Sequence, residues 1–385
     1  MKLIFSFVLS YPLAALLKRI PDAQPWKKNV FIIAVSLFYI VGLFDLWTGL
    51  RTLFISSAAV YGIAYYIDGS LMPWIGFFFL MTHMSVSQIY RQLVDDAQLV
   101  DITGAQMVLV MKLSSFCWNV HDGRQPKEGL SEAQRYAAIT EFPSVLDYTA
   151  YVLFFPSLFA GPSFDFVDYR RWIDTTLFDI PPDTDPSKAP ATRKKRRIPR
   201  SGRPASKKAT LGAFWILFFL VLASRYNQDT VLGHNAKYLN YSLPRRILTL
   251  HLIGFTTRLK YYGVWSLTEG ACILSGMGYN GFDPRSGKVF WDRLENVDPL
   301  RLETAQNSHG YLGSWNKNTN HWLRNYVYLR VTPKGKKPGF RASMATFVTS
   351  ALWHGFYPGY YLTFVLGSFI QTAAKSAFPP NYPYP

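Results

Sequence analysis

The 385-residue chain is 49% hydrophobic and 17% aromatic, with only 17% charged residues. That balance excludes an ordinary soluble domain, which carries about a quarter charged residues. The mean hydropathy of +0.04 hides the skew by averaging polar loops with apolar stretches. A formal net charge of +17 raises nucleic-acid binding as a reading, but spanning helices on both sides of the basic run favour anionic lipid headgroups instead.

At about 20 residues per spanning helix, the apolar stretches in chain order are 3–17, 29–47, 52–67, 70–89, 104–118, 144–161, 209–223, 247–257, 263–278, and 342–361 continuing to 374. They predict an all-α, polytopic integral membrane protein of about eight to ten embedded helices. The first is read as a retained helix rather than a cleaved signal, because Lys18 and Arg19 follow it with no small-residue cleavage site. Gln106 and Lys112 mark 104–118 as interfacial or packed inside the bundle.

Between the sixth and seventh stretches, residues 181–208 are rich in Pro and Ser and carry Arg193, Lys194, Lys195, Arg196, Arg197, Arg200, Arg203, Lys207 and Lys208. This composition predicts a mobile cytosolic loop within a single 1–385 domain. Asn240-Tyr241-Ser242 then falls on the far side of the membrane as an N-x-S sequon.

Cys117 and Cys272 are the chain's two cysteines, each in or beside an apolar stretch, so they read as packing residues. His83, His121, His234 and His251 stand alone, and His309 and His321 lack the HExxH spacing, so no metal site is supported. Neither a G-x-S-x-G elbow nor a P-loop is present.

Two later blocks carry chemistry. In 310–328, Trp315, Thr319, Trp322 and Tyr326 recur at helical spacing beside Asn316 and Asn320. The aromatic stripe is read either as a headgroup belt or as a chamber wall, and the asparagines either as interhelical hydrogen bonds or as site residues. In Ser350-Ala351-Leu352-Trp353-His354-Gly355, an ionisable ring sits in an otherwise apolar segment. Such a group is a functional residue by default.

Ser314-Trp315-Asn316, then Thr319, Trp322-Leu323-Arg324 and Tyr326, followed by Trp353-His354-Gly355 and Pro358-Gly359-Tyr360, resemble the paired signature of the membrane-bound O-acyltransferase (MBOAT) superfamily. Gly276-Met277-Gly278-Tyr279-Asn280-Gly281-Phe282, Trp291-Asp292-Arg293, Asn296-Val297-Asp298 and Ala160-Gly161-Pro162 are similar to its fungal lysophospholipid acyltransferase branch. The likeness is strong from Asp101 to Tyr361 and weak before it.

The resemblance implies a multihelix bundle enclosing a reaction chamber in the endoplasmic reticulum membrane. It also implies acyl-CoA as cosubstrate, a lysophospholipid as acceptor, no bound cofactor, and His354 and Asn316 as the reactive pair. A base must take the acceptor's hydroxyl proton, and a histidine kept neutral by burial suits that task. Asn316 serves as an oxyanion donor or orients the imidazole or the acyl carbonyl.

Trp315, Trp353, Asn320 and Arg324 are candidate chamber residues. Arg324, Lys317, Lys334, Lys336 and Lys337 are candidates for the CoA phosphates, or ordinary membrane-flanking charge. Members of this branch continue through further hydrophobic helices, so the end at Pro385 is read either as a C-terminal truncation or as a bundle that closes without them. A transporter, or an acyltransferase acting on another alcohol, is the alternative reading; a transporter predicts inverted repeats.

Overall fold

A computed structural model describes residues 2–94, 101–182, 184–193, 196–233, 237–333 and 335–377. Lys194, Lys195, His234, Lys334 and the tail 378–385 lie outside the described residues. Among the described residues the chain is helical with no named strand, as the apolar stretches predict.

α1 (Lys2–Leu17), α2 (Pro25–Leu37, prolonged as a π-turn to Leu43), α3 (Trp47–Tyr66), α4 (Met72–Val94) and α5 (Thr103–Gly123) follow the first five stretches closely. α5 is the axis of the bundle. Phe116, Leu113 and Cys117 are fully buried, and even Gln106 and Lys112 are inaccessible. Lys112 donates to the Tyr151 carbonyl, with its ammonium 4.3 Å and 4.5 Å from the rings of Tyr151 and Phe164. This stretch is therefore packed inside rather than interfacial.

The stretch 144–161 is not one helix. α6 (Glu132–Ala137) precedes it, and α7 (Val145–Val152) stops early, because Phe155-Pro156-Ser157 forms a separate 3-10 turn and Pro156 cannot extend an α-helix. α8 (Phe166–Ile173) follows.

The basic segment is not free along its whole length either. Ile198 is 2% exposed and joins the core, Arg196 donates to the carbonyls of Arg19 and Ile20 at 2.5 Å and 3.2 Å, and α9 (Gly202–Ala223) already begins within it.

α10 (Asp229–Leu232) leads to α11 (Leu243–Ser275), a 33-residue helix that absorbs both predicted stretches 247–257 and 263–278. Arg258 and Lys260 interrupt the hydropathy but not the helix, since Arg258 finds Glu303 at 2.8 Å. α9 and α11 cross at Gly212 and Gly263. A Cβ on Gly212 would meet Leu267 Cγ at 2.8 Å, and one on Gly263 would meet Ile216 at 2.6 Å. Small residues let the two backbones approach.

α12 (Pro299–Glu303), α13 (Ser308–Ser314), α14 (Lys317–Leu323, continued as a π-turn to Tyr328), α15 (Phe340–His354) and α16 (Pro358–Ala377) complete the chain. The long C-terminal stretch splits at Gly355, whose φ of +124° and ψ of −162° suit only glycine, and α16 packs back on α15.

Among the described residues, Pro25–Leu43 and Gly202–Ala223 are long and apolar enough to cross a bilayer on their own. This is fewer than the eight to ten embedded helices expected: α1 and α15 are only 16 and 15 residues long, and polar residues such as Gln106 and Lys112 dilute the hydropathy of longer helices such as α5. α9 exposes Phe214, Leu217, Leu220 and Val221 at 52–65%, a face that water would not tolerate.

Candidate active site

His354 is the last residue of α15, where the turn at Gly355 leaves its ring half-buried among Trp353, Phe364 and Tyr360, with centroids 4.7, 4.8 and 5.5 Å away. Its Nδ1 lies 2.7 Å from the Ser350 carbonyl. A carbonyl only accepts, so Nδ1 carries a proton, and in the neutral ring Nε2 presents a lone pair. Among the described residues nothing bonds to Nε2. Gln88 from α4 donates to the Trp353 carbonyl at 2.7 Å and caps this helix end.

Asn316 stands at the junction of α13 and α14 with φ +46°, a left-handed conformation that Asn tolerates better than most residues. Its Oδ1 accepts from Asn296 Nδ2 at 3.1 Å and from Thr319 Oγ at 2.9 Å. With the carbonyl end held twice, the amide Nδ2 points away from both, and no hydrogen bond occupies it among the described residues.

Neighbours of both residues touch α5 about one turn apart. Trp353 Nε1 donates to the Met107 carbonyl at 3.0 Å, and Thr319 Oγ lies 3.2 Å from the sulfur of Met111, one turn further on. Trp322 closes the gap with its ring centroid 6.3 Å from that of Trp353, and α13 packs on α16. The imidazole and the amide are each held by hydrogen bonds, on segments whose neighbouring residues pack on α5; an imidazole lone pair can move a proton and an amide N–H can polarise a carbonyl.

The remaining predicted site residues divide. Trp353 is a wall between α5 and α14, 6% exposed. Trp315 turns instead onto α11, with centroids 4.8 Å from Trp265 and 5.5 Å from Tyr261. The break at Asn316 therefore takes Trp315 out of the predicted stripe, while Trp322 and Tyr326, 2% and 4% exposed, are core rather than headgroup belt. Asn320 is exposed and ties α14 to α13 by donating to the Leu312 carbonyl at 3.2 Å. Arg324 is exposed with no side-chain partner among the described residues.

A cavity of about 900 Å³ abuts the same wall, with Trp322 and Met111 in its lining. Lys336 lines it, whereas Lys317 is held by Glu295 at 2.5 Å. Arg330 and Arg293, which the sequence did not mark as site residues, line it as well, paired with Asp122 and Asp168. Asn296 is the other residue missed. It is 3% exposed; its Oδ1 accepts from the backbone and side-chain amides of Asn318 at 3.1 Å and 3.0 Å, and its carbonyl accepts from Lys317 N at 2.9 Å. Its Asn-Val-Asp triplet was visible, but a partner 20 residues away leaves no periodic signal.

The profile of the membrane-bound O-acyltransferase family matches residues 92–379. The chain is 43% identical over 375 residues to a protein named lysophospholipid acyltransferase from Schizosaccharomyces pombe, covering 97% of this chain and 71% of that one. It is 42% identical over 373 residues to one of the same name from Saccharomyces cerevisiae, covering 95% of this chain and 60% of that one. It is 29% identical to the human membrane-bound glycerophospholipid O-acyltransferase 2, covering 86% and 62%. The all-helical bundle, the segment bearing Asn316 and His354, and these matches together place the chain in the membrane-bound O-acyltransferase family.

Proposed function

We propose that the chain transfers an acyl group from acyl-CoA to the free hydroxyl of a lysophospholipid in the endoplasmic reticulum membrane. His354 Nε2 takes the hydroxyl proton as the oxygen attacks the thioester carbonyl. The Ser350 carbonyl, already bonded to Nδ1, steadies the imidazolium that forms. Asn316 Nδ2 donates to the oxyanion of the tetrahedral intermediate. Collapse breaks the C–S bond, and the departing thiolate recovers the proton from His354.

Trp322 and Trp353 wall the chamber, and the 900 Å³ cavity beside them suits the polar part of the donor, with Lys336, Arg293 and Arg330 facing it. The observation that carries this reading is His354 Nε2, unbonded among the described residues, on a segment that packs on α5 through Trp353 as the segment of Asn316 does through Thr319. The names of the two yeast relatives supply the acceptor class.

The test is turnover of labelled acyl-CoA with a panel of lysophospholipids by wild type, His354→Ala and Asn316→Ala. Ester formation by wild type that collapses in both variants is expected. Equal turnover in all three removes both residues from the mechanism, and transport without ester formation removes the enzyme.

A further inference from the structure

A cavity of about 860 Å³ lies where the end of α1 meets the start of α9, and no residue of α13 to α16 lines it. Its lining carries six cations, Lys18, Arg19, Arg193, Arg196, Arg200 and Arg203, and no acidic side chain among the described residues. Two of them are spent on the scaffold. Lys18 Nζ donates to Pro199 O at 2.5 Å and Ser201 Oγ at 2.8 Å, and Arg196 holds the carbonyls of Arg19 and Ile20. Arg19, Arg193, Arg200 and Arg203 make no side-chain hydrogen bond or ion pair among the described residues.

The nearby carboxylates are already committed. Asp22 binds Lys28 at 2.7 Å and the backbone N–H of Arg197 at 3.2 Å, and Asp179 binds Arg197 at 3.0 Å. Like charges gathered with no counter-ion repel one another, and a bound anion removes that penalty. The N-terminus of the 22-residue α9 opens into the same space at Gly202, adding unpaired N–H groups and the positive end of the helix dipole. Burial and the neighbouring Arg193 pull the Lys18 ammonium down to about 8, a cost that a bound anion offsets.

The surroundings indicate where the anion comes from. Among the described residues α9 is one of two helices long and apolar enough to cross a bilayer, and a crossing α9 puts its first turn at the membrane surface. α1 presents Phe5, Val8 and Leu16 at 53, 54 and 47% exposure, and Leu16 is two residues from Lys18. Acyl chains lying along α1 and α9 would bring their headgroup to the cavity. Four uncommitted arginines match a dianionic phosphate monoester better than a singly charged diester.

We propose that this cavity is a binding site for the phosphate-monoester headgroup of an anionic membrane lipid, separate from the site of acyl transfer. The test is thermal unfolding of the full chain in detergent micelles, followed by tryptophan fluorescence, with dioctanoyl phosphatidic acid, dioctanoyl phosphatidylcholine or inorganic pyrophosphate. Phosphatidic acid is expected to raise the unfolding temperature while phosphatidylcholine does not. The Arg193→Gln/Arg200→Gln/Arg203→Gln variant is expected to weaken that response by roughly ten-fold or more per arginine.

An unchanged response in the triple variant overturns the site, as does an equal weakening in Lys127→Gln/Lys288→Gln/Arg341→Gln, which removes as many exposed cations elsewhere. Equal stabilisation by pyrophosphate overturns the lipid assignment in favour of a soluble polyphosphate. If the triple variant fails to fold, Arg19→Glu at the rim must weaken the lipid response on its own, and a wild-type response there overturns the site.

Discussion

Replacing Asn296 with an aspartate changes one donor into an acceptor and adds a negative charge at a position only 3% exposed. The two bonds that Asn296 Oδ1 accepts from Asn318 survive, while the amide that donates to Asn316 Oδ1 at 3.1 Å becomes a carboxylate oxygen. Two oxygens facing each other there repel, and the cheapest remedy is a half-turn of the Asn316 amide, with its NH₂ now bonded to the introduced carboxylate. Asn316 then offers the chamber an acceptor where a donor is needed.

Loss of one oxyanion donor lowers kcat by about 10²- to 10³-fold. Stability falls by about 1–3 kcal/mol, since the flip also reverses the bond with Thr319 and the added charge is buried. The assay is steady-state acylation of a lysophospholipid, with kcat and KM separated, in wild type, Asn296→Asp, Asn316→Ala and the double variant. The loss should fall on kcat and disappear on the Asn316→Ala background. It should also ease as pH falls, since the introduced carboxyl regains a donor once protonated. A wild-type kcat for Asn296→Asp, or a full additional loss in the double variant, refutes the positioning role.

Gly355→Ala places a Cβ where the closest atoms, of Gln88 and Tyr360, are 3.9 Å away, so room is ample and only the backbone objects. A cost of about 1–3 kcal/mol is expected in thermal unfolding, with activity falling as the His354 turn relaxes. Ile198→Ala should cost roughly 2–4 kcal/mol if the basic segment is docked as described, and nothing measurable if it is free. Glu303 accepts from Arg258 through both oxygens at 2.8 Å and from Tyr262 at 2.5 Å. Burial raises its pKa, but these bonds outweigh that and hold it below the usual carboxylate value. Its stabilisation, about 1–2 kcal/mol, is therefore present above the unfolded carboxylate pKa and lost as pH falls through the folded one. The stability gap between wild type and Glu303→Gln should close in acid, and a gap that persists there contradicts the ion pair.

Residue type and hydropathy made the class legible, and the first five stretches became helices with bounds shifted by only a few residues. What escaped depends on single backbone positions or on distant partners. Hydropathy could not see the turn at Gly355, because Phe356 and Tyr357 continue the apolar run across it. It divided α11 at Arg258, whose charge is met by Glu303, 45 residues away. The helical spacing of Trp315 and Trp322 was real arithmetic on the wrong geometry, since the left-handed Asn316 resets the phase between them. His354 and Asn316 stood out because an imidazole and an amide are conspicuous among apolar and aromatic neighbours. Asn296 did not, because its role exists only once two segments of chain lie side by side.

The account turns on whether His354 Nε2 removes the acceptor's proton. Single-turnover acyl transfer by His354→Ala, with and without added imidazole, asks this directly. We expect a rate lower by about 10²- to 10⁴-fold with acyl-CoA binding retained, and partial recovery with imidazole. A rate within a few-fold of wild type in the absence of imidazole would contradict it.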